Sequence, residues 1–338
     1  MLTVTTYARA VAPRRLEDPL MRQLWKTHAP LTAASLVLVA ALAAFAVGLA
    51  VDPRTIAGAP AWLKPAKFAV SIAIYGLTLV WIFRFIPDWP RTRRTVGWIT
   101  AVVGLLETAL VALQAWRGTT SHFNAATPVD YSVFATMGVA ILVQWIASLV
   151  LAAALWRQRF DDAALGAALR AGVILAVLGA ATGGLMTTTT PEQRAAARAT
   201  GRLTVSGAHT VGAPDGGPGL PGTKWSTEHG DLRVPHFLGL HALQALPLVA
   251  ILLGRMRRRI SDGYRLRIVR VTGGSYAALI AILLWQALRG QSVVAPDGTM
   301  LVALALWASA TLVALVPRPL GRQPIGAGAT AAIALGGR

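Results

Sequence analysis

The sequence predicts an all-α protein, a polytopic transmembrane helical bundle of about eight spans, and three observations support this. Of 338 residues, 55% are hydrophobic and 14% charged, whereas soluble domains carry roughly half apolar and a quarter charged residues. The apolar residues fall in runs of about 18 to 25, the length that crosses a hydrocarbon layer of about 30 Å at 1.5 Å per helical residue. Arginine-rich segments separate the runs and concentrate on alternate connections. A soluble enzyme is excluded. The chain has no cysteine, which removes disulfides, thiol nucleophiles and Cys-ligated metal or iron–sulfur centres.

Residues 1–28 form a mixed-charge N-terminal arm. Within it Arg14 to Lys26, carrying Leu16, Leu20, Leu24 and Trp25, is expected to lie as a short amphipathic helix on the inner interface. The first apolar run, 29–51, is too long for the apolar core of a cleaved signal peptide and reads as a retained anchor. The other spans are expected at 67–87, 95–116, 131–156, 168–187, 234–254, 271–289 and 299–317, followed by a tail over 318–338. Trp62, Trp89, Trp98, Trp116 and Trp156 fall at span ends, where indoles sit at headgroup level. In the fifth span Gly172, Gly179 and Gly183 form a small-residue face for close helix packing.

The formal charge is +18, and 22 of the 32 basic residues belong to the N-terminal arm, the second-to-third, fourth-to-fifth and sixth-to-seventh connections, and the tail. That bias is the positive-inside pattern and places both termini in the cytoplasm. Clusters such as Arg255, Arg257, Arg258 and Arg259 therefore set topology and meet anionic lipid headgroups. The lipid bilayer is the expected partner, and nucleic acid is not.

The outer connection 188–233 opens on Thr190-Pro191-Glu192-Gln193, a capping box with proline at the first helical position, so a short surface helix is expected there. The Gly- and Pro-rich stretch that follows specifies turns. Its His209, Asp215, Trp225, Glu228, His229 and Asp231 either cap a cavity or are solvated residues of a structural loop.

Two segments occur twice. "LKPAKF" (Leu63 to Phe68) at the start of the second span is echoed by "LRVPHF" (Leu232 to Phe237) at the start of the sixth, and "QAWRG" (Gln114 to Gly118) by "QALRG" (Gln286 to Gly290). The paired helices run in the same direction. A parallel four-plus-four duplication is expected, with one unit over 29–156 and the other over 157–317.

The repeated segments put Lys64, Lys67, Arg117, Arg233 and Arg289 at outer helix ends, where the positive-inside rule does not call for cations. They either snorkel to the outer headgroups or form a basic mouth suited to a carboxylate, phosphate or haem propionate. Below them run polar stripes: Lys67, Ser71, Tyr75 and Thr78; Thr100, Glu107 and Gln114; Asp130, Met137 and Gln144; His236, His241 and Gln244. Such faces are costly towards lipid and are expected to face one another.

Tyr75, Glu107, Gln114, His241 and Gln244 form the expected buried polar site, with Glu107 the one carboxylate deep within a span. Glu107 is a proton acceptor, a cation or metal ligand, or a structural hydrogen-bonding acid. His122, His236 and His241 are the candidate ligands for haem b or a metal ion; the alternative is packed, hydrogen-bonded histidine. His236 and His241 stand about 140° apart around a helix and suit one shared ion poorly.

At these residues "WLKPAKF", "LQAWRGTTSHFN" and "GAHTVGAPDGGPGLPGTKWSTEHGDLRVPHFLGLHALQ" together resemble a family of multi-pass bacterial membrane proteins with no established activity. The resemblance implies a bacterial cytoplasmic membrane and carries over no catalytic residue. Two readings of function stay open. One is an outward-facing polar cavity that binds or transports a small polar or anionic solute, linked to protonation of Glu107. The other is a haem- or metal-dependent membrane oxidoreductase or sensor.

Overall fold

The computed structural model describes residues 19–316. The expectations for residues 14–18 of the amphipathic segment, and for the tail, lie outside the described residues. Among those described are nine helices: α1 (Leu20–Val51), α2 (Leu63–Phe83), α3 (Pro90–Trp116), α4 (Pro128–Arg157), α5 (Ala163–Met186), α6 (Pro191–Thr200), α7 (Arg233–Arg255), α8 (Asp262–Leu288) and α9 (Gly298–Leu315). Two short antiparallel pairs complete them: β1 (Thr55–Ile56) with β2 (Ala59–Pro60), and β3 (Thr210–Val211) with β4 (Gly230–Asp231). Among the described residues eight helical segments are long and apolar enough to cross a membrane, the fifth running from α5 through α6. The chain is a multi-pass helical membrane protein, as its composition predicts.

In α1, His28 leaves helical geometry (φ −157°, ψ 85°) two residues before Pro30. Proline lacks an N–H and its ring collides with the carbonyl four residues earlier, so a straight helix cannot pass through it. The break moves Pro30 into the first turn of a new stretch. His28 Nδ1 accepts from the Leu31 backbone N–H at 3.1 Å, a side-chain cap on that turn. The first span therefore starts where the sequence places it, and Leu20 to Thr27 is a separate helical segment before it.

Several helices start before their apolar runs, α2 and α8 among them. α2 begins at Leu63, because Pro65 falls in the first turn, where a missing N–H loses no bond. α8 begins at Asp262, nine residues before its apolar run. Ser261 Oγ accepts from the Tyr264 N–H (3.3 Å), and Arg265 is only 1% exposed because Asp162 and Asp262 neutralise it (2.8 and 2.6 Å).

α1 packs on α2 and α3, α2 on α3, and α3 on α4; in the same order α5 packs on α7 and α8, α7 on α8, and α8 on α9. α4 against α5 joins the two groups. At the end away from the 187–232 connection, Leu79, Phe83, Leu151, Leu155, Leu169 and Leu243 share one apolar core drawn from both groups. The glycines of α5 pack as expected. A Cβ at Gly179 would stand 2.5 Å from Gly239 Cα, and one at Gly172 would stand 2.9 Å from the Ala242 carbonyl oxygen. Bare backbone therefore touches bare backbone where α5 crosses α7.

The two "RG" turns share one geometry. Gly118 and Gly290 adopt φ of +75° and +71°, the left-handed conformation that ends a helix without Cβ strain. The arginine before each reaches the first turn of the next helix: Arg117 to Asp130 and Arg289 to Asp297, both at 2.6 Å. α3 and α8 each span 27 residues, with Arg93 and Arg265 at the fourth position.

Candidate functional site

The 187–232 connection is a folded cap. The Thr190 hydroxyl accepts from the Gln193 N–H (3.3 Å) and the Gln193 side chain accepts from the Thr190 N–H (3.1 Å), the predicted capping box. Gln193 also bonds both polar backbone groups of Gly207 (2.8 and 3.0 Å). The chain then ties to the α3–α4 connection: Ala125 N–H donates to the Thr204 carbonyl and Ser206 N–H to the Phe123 carbonyl, each at 2.9 Å. Its tip lies against the β1–β2 turn, where a Cβ on Gly58 would stand 2.6 Å from the Gly216 carbonyl oxygen. Asp231, 2% exposed, anchors its last turn. That carboxylate accepts from Ser226 N–H (2.8 Å), Arg233 N–H (3.0 Å), Arg233 Nε (2.9 Å) and Arg233 Nη2 (2.6 Å).

The cations expected at the mouth divide into two kinds. Arg117, Arg233 and Arg289 each pair with an aspartate at 2.6 Å. Gln114 belongs to the first of these clamps, donating to Asp130 at 3.0 Å and accepting from Arg117 at 2.5 Å. The Arg117 and Arg289 pairs hold successive helix ends together, the Arg233 pair holds the last turn of the cap, and the charge of each is locally compensated. The lysines differ. Lys67 Nζ donates to the Thr223 carbonyl (3.1 Å) and Lys64 Nζ meets His122 Nδ1 (3.2 Å). Among the described residues neither lysine has a carboxylate within ion-pair distance.

Three histidines surround this point. His122 Nδ1 also meets Ser121 Oγ (3.0 Å). His209 Nδ1 lies 2.6 Å from Asp215 Oδ2, and Asp215 further accepts from the N–H groups of His209 (3.0 Å) and Thr210 (2.9 Å). His236 Nδ1 donates to the Gly179 carbonyl (2.8 Å), because a carbonyl can only accept. That bond needs the glycine crossing of α5 and α7.

Burial pushes the His122 imidazole well below its ordinary range, and the Lys64 charge adds to this. Burial lowers His209 as well, against the opposing pull of Asp215. Burial disfavours the Asp215 carboxylate, but hydrogen bonds from His209 and its backbone outweigh this and hold it well below the usual range. Lys64, His122, His209 and His236 lie deep among protein atoms, yet each keeps some accessible surface. These side chains form a half-buried cluster beneath the cap. Phe68 packs beside His122 (ring centroids 5.6 Å apart) and Phe123 beside His209 (4.8 Å).

Further from the cap, the Tyr75 hydroxyl lies 3.1 Å from Ser148 Oγ and accepts from Gln144 Nε2 (3.3 Å). Gln244 Nε2 donates to Thr78 Oγ1 (3.3 Å). The polar face of α2 thus links α4 on one side with α7 on the other. Of the five residues expected to form one buried site, Tyr75 and Gln244 meet this shared face and Gln114 stands in the clamp. Glu107 is 1% exposed, with neither oxygen hydrogen-bonded. His241 is exposed, its ring 6.2 Å from Phe237. No hydrogen bond joins Glu107 or His241 to Tyr75 or Gln244.

Among the described residues no group of three or more His, Asp or Glu side chains is placed to hold a metal ion. The metal-dependent reading of His122, His236 and His241 therefore gains no ligand set from the fold. Ser148 was not singled out by the sequence, and His209 and Asp215 were named as possible cap residues without any sign that they pair. Ser148 lies one turn beyond Gln144 on the same stripe. His209 and Asp215 sit in a turn-rich loop where no periodicity points to contact.

The geometry defines a class: a multi-pass helical membrane protein with a folded cap over a cluster of lysine and histidine side chains. No family model matches the chain, and no curated protein or solved structure matches it either.

Proposed function

We propose that the chamber beneath the cap binds a small anionic solute, as the outward-facing site of a transport or binding protein of the bacterial cytoplasmic membrane. Lys64 and Lys67 carry this reading: they are cations beneath the cap without a carboxylate partner, while each arginine grouped with them by the sequence is neutralised. A compact ammonium that gives up a carbonyl contact for an anion gains a charge-assisted hydrogen bond. Neutral imidazoles beside it add donors without fixed counter-charge. The apolar core at the far end favours access from the cap side. With the 22 basic residues on the other side, that core faces the cytoplasm together with both termini.

The test is ligand-dependent thermal stabilisation of purified protein in lipid nanodiscs, titrated with inorganic phosphate and small carboxylates. Lys67→Gln is expected to weaken the effective anion about tenfold or more, the loss of a charged hydrogen bond of about 1.5–3 kcal/mol. Anions that stabilise wild type and Lys67→Gln alike would sink the proposal.

The parallel repeat belongs to the same reading and divides the chain into 29–156 and 157–317. It is supported by the matched packing order, the equal lengths of α3 and α8, the twin Arg–Asp clamps and the equivalent Arg93 and Arg265. In an experimental structure the two units should superimpose with Gln114 on Gln286. An inverted relation would remove the duplication.

A further inference from the structure

We propose that Glu107 is a proton-exchange site inside the membrane, served from the chamber through Lys64. The observation is an orphaned acid: Glu107 is 1% exposed and neither carboxylate oxygen has a hydrogen-bond partner. An ionised carboxylate without partners is poorly tolerated in an apolar interior, whereas a carboxylic acid is neutral there.

The surroundings of α3 leave few other ways to neutralise it. α1 contributes no titratable side chain between residues 29 and 51. α4 contributes Asp130, already held by Arg117, Gln114 and Thr127, and the exposed Tyr131. α2 contributes Tyr75, engaged with Ser148 and Gln144, Lys67, bound to Thr223, and Lys64. Lys64 is the charged group that acts electrostatically on Glu107, and its ammonium nitrogen lies 3.2 Å from His122 Nδ1 in the chamber. Lys64 is thus the charged group through which the buried acid is proposed to communicate with His122.

The transfer balances without a co-reactant. Lys64 Nζ gives a proton to His122 Nδ1 and takes one from the Glu107 carboxylic acid when side-chain motion or an intervening water brings the two within hydrogen-bond reach. The Glu107 carboxylate is left beside the Lys64 ammonium, and the His122 imidazolium releases its proton to chamber water. The reverse sequence reloads the acid.

The proposal rests on the chamber of the proposed function but does not depend on any anion binding there, so it is tested on ligand-free full-length protein in nanodiscs. Infrared difference spectra of wild type against Glu107→Gln should show a protonated-carboxyl carbonyl band that belongs to wild type alone and gives way to carboxylate as pH rises. In Lys64→Met the band should persist while its hydrogen–deuterium exchange slows several-fold. If Glu107→Gln does not fold, wild type with isotope-labelled glutamate gives the same reading, because the other described glutamates, Glu192 and Glu228, are exposed. Absence of the band at every pH at which the protein stays folded overturns the proposal. Unchanged exchange in Lys64→Met overturns the route. Either failure leaves the anion titration to stand or fall by itself.

Discussion

Asp231→Ala is expected to release the cap from the membrane surface. The wild-type carboxylate accepts four hydrogen bonds while 2% exposed. Its removal strands the Arg233 guanidinium, which also reaches the Lys224 carbonyl (2.5 Å), and leaves the Ser226 N–H without its acceptor. Breaking a buried charge pair from one side costs about 3–5 kcal/mol, and each stranded donor adds about 1–3 kcal/mol. A total of that size is comparable to the stability of a whole small domain, so the cap should open while the helices stay embedded. Protease added outside intact cells should cut Asp231→Ala between residues 187 and 232 much faster than wild type. Equal protection of both proteins would refute the anchoring role. Cutting of the variant only after the membrane is breached would place the cap inside and reverse the proposed orientation.

Gly239→Val should disrupt the second half of the bundle at its tightest point. A Cβ there would overlap Gly179 Cα, which is backbone and cannot swing aside as a flexible side chain can. Overpacking a core costs about 1–3 kcal/mol where neighbours can rearrange, and this contact exceeds that case. Forcing α5 from α7 also breaks the bond from His236 to the Gly179 carbonyl, so the chamber wall should loosen with the helix pair. The expected result is a large fall in thermal midpoint and in monodisperse protein after extraction, with Gly239→Ala intermediate. A valine variant that melts like wild type would mean that the two backbones do not meet.

The spans were legible because a bilayer demands long apolar runs, and a run is visible in one dimension. The first nine residues of α8 were not: hydropathy stops at Arg265, while the helix continues because Asp162, far away in sequence, neutralises that arginine. The same blindness merged five cations into one basic mouth. Arg117, Arg233, Arg289, Lys64 and Lys67 look alike as positions at helix ends; Asp130 and Asp297 reach Arg117 and Arg289 only through the turns between helices, and nothing in the sequence shows that Asp231, two residues before Arg233, folds back onto it. Glu107 was readable as an anomaly from its place in an apolar helix. That its oxygens meet no partner required coordinates. The His209–Asp215 pair had no sequence signal, since six residues of turn can bring two side chains together or send them apart.

The cap is held with uneven stiffness. Its two feet rise from the C-terminus of α5 and the N-terminus of α7, a pair fused by touching backbones, so the gap between the feet is nearly fixed. Its middle is stitched by backbone bonds to residues 123 and 125, while its far edge rests on the turn at Gly58 and on the bond between Lys67 and Thr223. Any sliding of one helix group past the other must therefore be taken up by the cap as mechanical load, since it is rooted in one group and fastened to the other. The load falls first on the weakest fastening. A single lysine-to-carbonyl bond yields before a helix crossing does, and that bond lies at the chamber.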